Sequence, residues 1–170
     1  VTTGNITATA GGVNIYYNPT TFGVQDTIYS GGTPPTKYML IQDLGNDNDV
    51  STARTLGALQ NPLNFALWTS GLNYALAKNI DQASVTDTWN GGNGFSPIGF
   101  AGNAFLGSFD GLGYHIDGLT IHGTTGQNYI GFFGIVTNGI IQNLGLINIS
   151  FTVDGGTRIG AVAGLVQGTI

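Results

Sequence analysis

The chain has 170 residues, a formal charge of −5 and no cysteine, so neither disulfides nor thiolate metal sites can hold it together. Only 8% of its residues are charged, its nine acidic residues include no Glu and Gly numbers 29, which argues against extensive helix and for a β-rich chain with a Thr, Ser, Asn and Gly surface. The four basic residues, Lys37, Arg54, Lys78 and Arg158, stand singly, which excludes nucleic acid as a partner; no apolar run approaches the ~20 residues of a spanning helix, so no membrane insertion of this segment is expected.

Val1 to Tyr17 alternates, with Ile6, Ala8 and Ala10 before the Gly11-Gly12 turn and Val13, Ile15 and Tyr17 after it, and predicts two short strands. Asn18-Pro19 breaks the pattern, Thr20 to Pro35 reads as a Gly- and Pro-rich excursion, and Tyr38 to Ile41 resumes as a strand. Gly45-Asn46-Asp47-Asn48-Asp49 is the densest acidic stretch. Its alternating carboxylates would suit calcium, but counted from Asp47 the sixth position is Thr52 rather than Gly and the twelfth is Ala58 rather than Glu. It is read as a solvated turn, and no metal or cofactor is assigned.

Leu56, Leu59, Leu63 and Leu67 recur at three- or four-residue spacing, which predicts a short helix before Asn61, with Ser51 as N-cap and Pro62 as its limit. Leu72 to Ile80 reads as a return strand. Residues 81–104 are irregular, and Trp89, Phe95 and Phe100 among Gly and Pro offer either a sugar-stacking surface or, more ordinarily, loop corners plugged into the core.

From Phe105 onward the sequence repeats. Ile116-Asp117-Gly118-Leu119-Thr120-Ile121 matches Ile141-Gln142-Asn143-Leu144-Gly145-Leu146 at an offset of 25, and Ile130-Gly131-Phe132-Phe133-Gly134-Ile135-Val136 matches Ile159 to Val166 at 29 with one residue inserted. Gly168-Thr169-Ile170 echoes Asn138-Gly139-Ile140. Such a period marks a solenoid, and short apolar runs separated by Gly, Asn, Asp and Thr, without sustained helical spacing, point to an all-β parallel β-helix of six or seven turns at roughly 25 residues each. A leucine-rich repeat lacks its Asn ladder and helical side here, and a propeller lacks its hairpins. Ile116, Leu119, Ile121, Ile140, Leu144, Leu146, Ile149, Ile159, Val162 and Leu165 are the expected apolar columns.

A carbohydrate-active enzyme on this architecture would need two or three carboxylates, or a carboxylate beside Arg or Lys, on neighbouring turns. The cluster that could qualify is Asp110, His115, Asp117 and His122. Asp110 and Asp117 each precede Gly, an ordinary turn signal in which the Asp bonds local backbone, and the two histidines lack a convincing third ligand. No catalytic, cofactor-binding or metal residue is therefore assigned, and the chain is not expected to be an enzyme. A passive carbohydrate-binding surface is a further alternative.

Tyr74-Ala75-Leu76-Ala77-Lys78-Asn79-Ile80-Asp81, Trp89-Asn90-Gly91-Gly92, Phe95-Ser96-Pro97-Ile98-Gly99 and Phe105 to Ile116 resemble the bacterial two-partner-secreted, filamentous-haemagglutinin-like adhesins. Gly131-Phe132-Phe133-Gly134 and Gly160-Ala161-Val162-Ala163-Gly164 resemble their glycine-bracketed GLUG motif, and Val13-Asn14-Ile15-Tyr16-Tyr17-Asn18-Pro19 is similar to their upstream part. The resemblance implies a right-handed parallel β-helix, secreted or displayed at the cell surface as a structural or adhesive segment. It implies surface glycans or proteins of host or neighbouring cells as partners, and an outer-membrane secretion partner for the parent chain. Residues 1–170 are expected to be one segment of a much longer repetitive protein, less regular over 1–73 and repeat-bearing over 74–170.

Overall fold

The computed structural model describes residues 12–19, 21–24, 35–155 and 158–170. The strand expected at Ile6 to Ala10 lies outside them. The strands are β1 (Asn14–Tyr17), β2 (Thr36–Ile41), β3 (Asn73–Leu76), β4 (Phe109–Asp110), β5 (His115–Asp117) and β6 (Thr120–Gly123). They continue as β7 (Tyr129–Ile130), β8 (Phe133–Gln142), β9 (Gly145–Ile147), β10 (Ser150–Val153), β11 (Arg158–Ile159) and β12 (Ala163–Thr169).

Every pairing between these strands is parallel. The largest sheet runs β1-β2-β3-β4-β8-β12, and three two-stranded sheets pair β5 with β9, β6 with β10 and β7 with β11. The chain thus lays down β4 to β7 and then β8 to β11 directly upon them, strand for strand. Parallel pairing of this kind needs a long return path between partners, which the intervening strands supply.

The register corrects one of the two repeat alignments. Ile130 faces Ile159, and Ile135 and Val136 face Leu165 and Val166, as the glycine-bracketed match predicts. Ile116, however, faces Leu146, thirty residues on, rather than Ile141. The apolar pattern occurs twice in succession, at Ile141-x-x-Leu144-x-Leu146 and Leu146-x-x-Ile149-x-Phe151, and only the second lies over Ile116 to Ile121. Corner geometry agrees with the longer offset. Gly113 (φ 81°) and Gly118 (φ 81°) lie thirty residues before Asn143 (φ 53°) and Asn148 (φ 50°), all left-handed, where Asn is the tolerated substitute for Gly. Earlier offsets vary more: Tyr16 pairs with Tyr38 after 22 residues, whereas Tyr38 pairs with Asn73 and Tyr74 with Phe109 after 35.

A bulge also shifts the last match, so that Thr169 faces Ile140. Gly168 then sits on Gly139, which sits on Gly107; a Cβ added at Gly168 or Gly139 would meet the carbonyl of the glycine beneath. This column is why the layers can approach at that corner.

The helical part is shorter than expected and differently capped. Helix α1 (Leu56–Gln60) starts at Thr55, not Ser51, because the Thr55 hydroxyl accepts from the Ala58 N–H at 3.0 Å. A 3₁₀ turn at Pro62–Asn64 and helix α2 (Ala66–Thr69) follow. Leu56, Leu59, Leu67 and Trp68 are buried, but Leu63 in the intervening turn is 87% exposed, so the leucine stripe is interrupted at Pro62. Trp68 Nε1 donates to the Leu59 carbonyl at 2.6 Å and the Tyr74 hydroxyl to the Leu67 carbonyl at 2.9 Å, which ties the helices to β3.

Ile116, Leu119 and Ile121 are fully buried, as expected. Ile140 is 43% exposed; Asn138 (φ 60°) and Gly139 break the alternation of β8, and Ile141 turns inward instead. Ile159 is 53% exposed in the outermost described layer, whereas its partner Ile130 beneath is buried. Leu144, Leu146, Ile149, Val162 and Leu165 are half-buried. The heart of the core is aromatic. Rings run in contact from Tyr74 through Phe105, Phe133, Phe132 and Phe95 to Trp89, at centroid separations of 4.9–6.5 Å.

Candidate functional site

Asp110, in β4, is 1% exposed, and its carboxylate accepts four hydrogen bonds. They come from Tyr16 Oη (2.8 Å), Gln142 Nε2 (2.8 Å), Asn143 Nδ2 (3.0 Å) and the Leu112 N–H (2.9 Å). Only the last is the turn amide expected from Phe-Asp-Gly; the others reach across layers from β1, β8 and the corner after β8. Burial alone would raise the carboxyl, but these donors outweigh it and hold Asp110 below its ordinary value. Burial, with the adjacent Asp110 carboxylate, raises the Tyr16 phenol. Four donors nearly exhaust the lone pairs of one carboxylate, so Asp110 is built as a structural anion.

Asp117 also departs from the turn reading, because its Oδ1 accepts from Asn148 Nδ2 at 2.8 Å, in the layer above. His115 and His122 lie half-exposed on β5 and β6. Each pairs with an aspartate from the irregular loop of residues 81–104: His115 Nε2 with Asp81 Oδ1 at 3.0 Å, and His122 Nε2 with Asp87 Oδ1 at 3.2 Å. The four residues singled out in sequence thus fall into separate interlayer contacts, and Asp81 and Asp87, which sequence reasoning missed, are the histidines' partners.

The acidic loop is more than a solvated turn. Asp49 Oδ2 accepts from the Asn46 N–H and the Thr55 hydroxyl, fixing the loop at the start of α1. Asp47 Oδ2 accepts from the Asn90 N–H, 43 residues away. Beside it lies Gln60, fully buried and unmarked in the sequence pattern. Gln60 Nε2 donates to the Asp47 carbonyl (2.9 Å), and its Oε1 accepts from Asn90 Nδ2 (3.1 Å) and the Ser96 N–H (3.0 Å). One amide therefore staples the irregular loop to the helical insertion. Among the described residues no group of three His, Asp or Glu side chains could hold a metal ion.

Trp89 and Phe95 are 6% and 0% exposed and stack on the Phe132 column, so the core-plugging reading holds for both. Phe100 alone of the three is open, at 42%. A polar groove of about 480 Å³ is lined by Asp43, Lys78, Asn79 and Asp81 among others. Lys78 lies 3.5 Å from Asp43 and Asp81 faces His115, so its charges are mutually satisfied. No helix among the described residues is long and apolar enough to cross a membrane.

The chain matches no family model and no solved structure. It is 35% identical to halomucin of Haloquadratum walsbyi over 171 residues, an alignment that takes in 99% of this chain. It is 37% identical over 123 residues, 71% of this chain, to a putative Gly-rich membrane protein of Evansella cellulosilytica. The chain spans only 2% of the length of the first relative and 13% of the second.

Proposed function

We propose that the chain is a segment of a right-handed parallel β-helix, secreted or displayed at the cell surface, serving as a stalk or adhesive scaffold of the filamentous-haemagglutinin kind. The observation that carries this reading is the strand-for-strand pairing of β4 to β7 with β8 to β11, a unit that can be extended layer upon layer. Its polar chemistry supports the same reading: Asp110, Asp117, His115 and His122 are each spent on contacts between sequence-distant segments. No catalytic residue, cofactor or metal is assigned. The two relatives fit, since one is named halomucin and the other a putative Gly-rich membrane protein, and both are many times longer than the stretch they share with this chain. The expected partners are glycans or proteins of neighbouring or host cells, with an outer-membrane secretion partner for the parent protein.

Antibodies raised against the folded segment should label intact cells of the producing organism; labelling that appears only after permeabilisation overturns the location. Far-ultraviolet circular dichroism should be β-dominated, and a helical spectrum overturns the architecture. Asp117→Asn, which perturbs one exposed hydrogen bond from Asn148, should cost at most about 1 kcal/mol and leave binding unchanged. If it instead abolished cleavage of a polysaccharide with the melt intact, the protein would be an enzyme.

A further inference from the structure

A cleft of about 360 Å³ opens between the loop carrying Ser96, Pro97 and Phe100 and the turn that leads into β7. The Phe100 ring meets buried Trp68 edge-on at 5.6 Å and is 42% exposed, and its backbone is fixed by reciprocal bonds with Asn103 at 3.1 and 2.9 Å. Tyr129 brings a second ring, with the Arg158 guanidinium over it at 5.3 Å and Arg158 Nη1 donating to its hydroxyl at 3.3 Å. Gln127, whose Oε1 accepts from the Thr124 N–H at 3.1 Å, adds an amide NH2 group, and Ser96 adds a hydroxyl. None of the residues lining the cleft is charged.

Both walls are held in place before any ligand arrives. On one side the Ser96 N–H is bonded to Gln60 Oε1 and the Ile98 N–H to the Phe132 carbonyl, each at 3.0 Å. On the other, the Arg158 N–H is bonded to the Asn128 carbonyl at 3.0 Å, and Tyr129 pairs with Arg158 in register. Small-ligand sites combine apolar faces with a few fixed polar groups in volumes of about 300–1,000 Å³. This cleft meets that description.

We propose that it binds a neutral sugar, one or two pyranose rings of a glycan chain. A pyranose has an apolar C–H face that suits the electron-rich face of Phe100 or Tyr129, and a rim of hydroxyls that needs donors and acceptors such as Gln127 Nε2 and the Ser96 hydroxyl. The one charge nearby, the Arg158 guanidinium, is already engaged by the ring and hydroxyl of Tyr129, and nothing in the lining itself compensates for desolvating a carboxylate, so neutral saccharides are favoured. The inference rests on the scaffold reading, because the cleft exists only where the β7 and β11 layers stack beside the looped segment.

The test is an amide-resolved NMR titration of the intact chain with maltotetraose, cellotetraose, mannotetraose and chitotetraose, with tetragalacturonate as the charged comparison. At least one neutral tetrasaccharide should produce saturable shifts at Gly99, Ala101, Gln127 and Asn128, and tetragalacturonate should not. Phe100→Ala should weaken binding at least tenfold. Ala101→Trp, which fills the cleft from an exposed position and removes no packing, should abolish it with the melt unchanged. No saturable shift with any neutral sugar, shifts elsewhere, or binding that survives both variants overturns the proposal. Absence of binding by a chain with an unchanged β spectrum and melt sinks this inference alone, whereas a helical spectrum sinks the scaffold reading beneath it.

Discussion

Replacing Asp110 by Ala tests whether this chain's most connected carboxylate is structural. The substitution strips partners from Tyr16 Oη, Gln142 Nε2, Asn143 Nδ2 and the Leu112 N–H. Hydrogen bonds to a charged acceptor contribute about 1.5–3 kcal/mol each when their loss leaves a buried group unpaired. Here the full sum does not apply, because Leu112 and Asn143 are exposed and Tyr16 and Gln142 half-buried, so water can replace much of what is lost. A net cost of about 2–3 kcal/mol follows, equivalent to a fall in melting temperature of about 4–12 °C for a chain of this size. Asp110→Asn keeps the volume but turns an amino group toward donors, and should cost about 1–2 kcal/mol. Thermal melts at neutral pH followed by circular dichroism measure both. A folded Asp110→Ala protein that melts within about 1 °C of the parent would refute the argument that the network carries stability. An unchanged melt with loss of an activity on polysaccharide would instead make Asp110 catalytic.

Because Asp110 is held below its ordinary value, its contribution is complete above the unfolded-chain value of about 3.9 and is lost as pH falls through the folded value. Denaturant midpoints measured downward from pH 5 should therefore drop, and Asp110→Asn should flatten that drop. Ile116→Ala, at a fully buried position under Leu146, should cost about 2–5 kcal/mol, and Leu144→Ala, at a half-buried corner, about 1–2 kcal/mol. If Leu144→Ala proved the costlier in urea melts, the offset of 25 would have to be restored. Gly139→Ala drives a Cβ into the Gly107 carbonyl and should destabilise by about 1–3 kcal/mol, whereas the same change at Gly126, which has open space around it, should cost only its left-handed backbone strain, of order 1 kcal/mol.

Strand identity was readable from the sequence because apolar runs between Gly and Asn have few other conformations open to them. The glycine-bracketed match was also readable, since Gly131 and Gly160 stand where layers touch and no side chain fits. The register of Ile116 was not. An apolar pattern that occurs twice in one layer gives two alignments of equal quality, and only the corner residues, Gly113 and Gly118 under Asn143 and Asn148, decide between them. Ile140 misled for a related reason: one left-handed Asn138 reverses which face the following residues present. For Asp110 only the Leu112 turn amide was within reach; its contacts to Tyr16, Gln142 and Asn143, and those of Asp47 and Gln60 to Asn90 and Ser96, span 30–94 residues, and nothing local marks them.

These long-range polar contacts bear on where function can reside. A regular stack uses its inward side chains for the core and, with so few charged residues, uses its scarce carboxylates to lock one layer to another, as Asp110 and Asp117 do. Functional groups on such a frame are most readily found where a less regular segment meets the stack, as Phe100 meets Tyr129, because the side chains of that segment are not all committed to neighbours above and below. The loop of residues 81–104 is such a segment, and it is made rigid by Gln60, Asn90 and Thr86 together with isolated bridges of Gly94 to Ile121 and Ile98 to Phe133: Thr86 Oγ1 accepts from the Thr120 N–H at 2.9 Å, and Gln60 holds Ser96. A loop fixed in this way can present Phe100 to solvent without the entropic cost of ordering it on binding. Gln60→Leu, nearly equal in size but unable to bond Ser96 or Asn90, should therefore weaken sugar binding more than it lowers the melt of the remaining layers. Equal affinity in that variant would mean that the cleft does not depend on the staple.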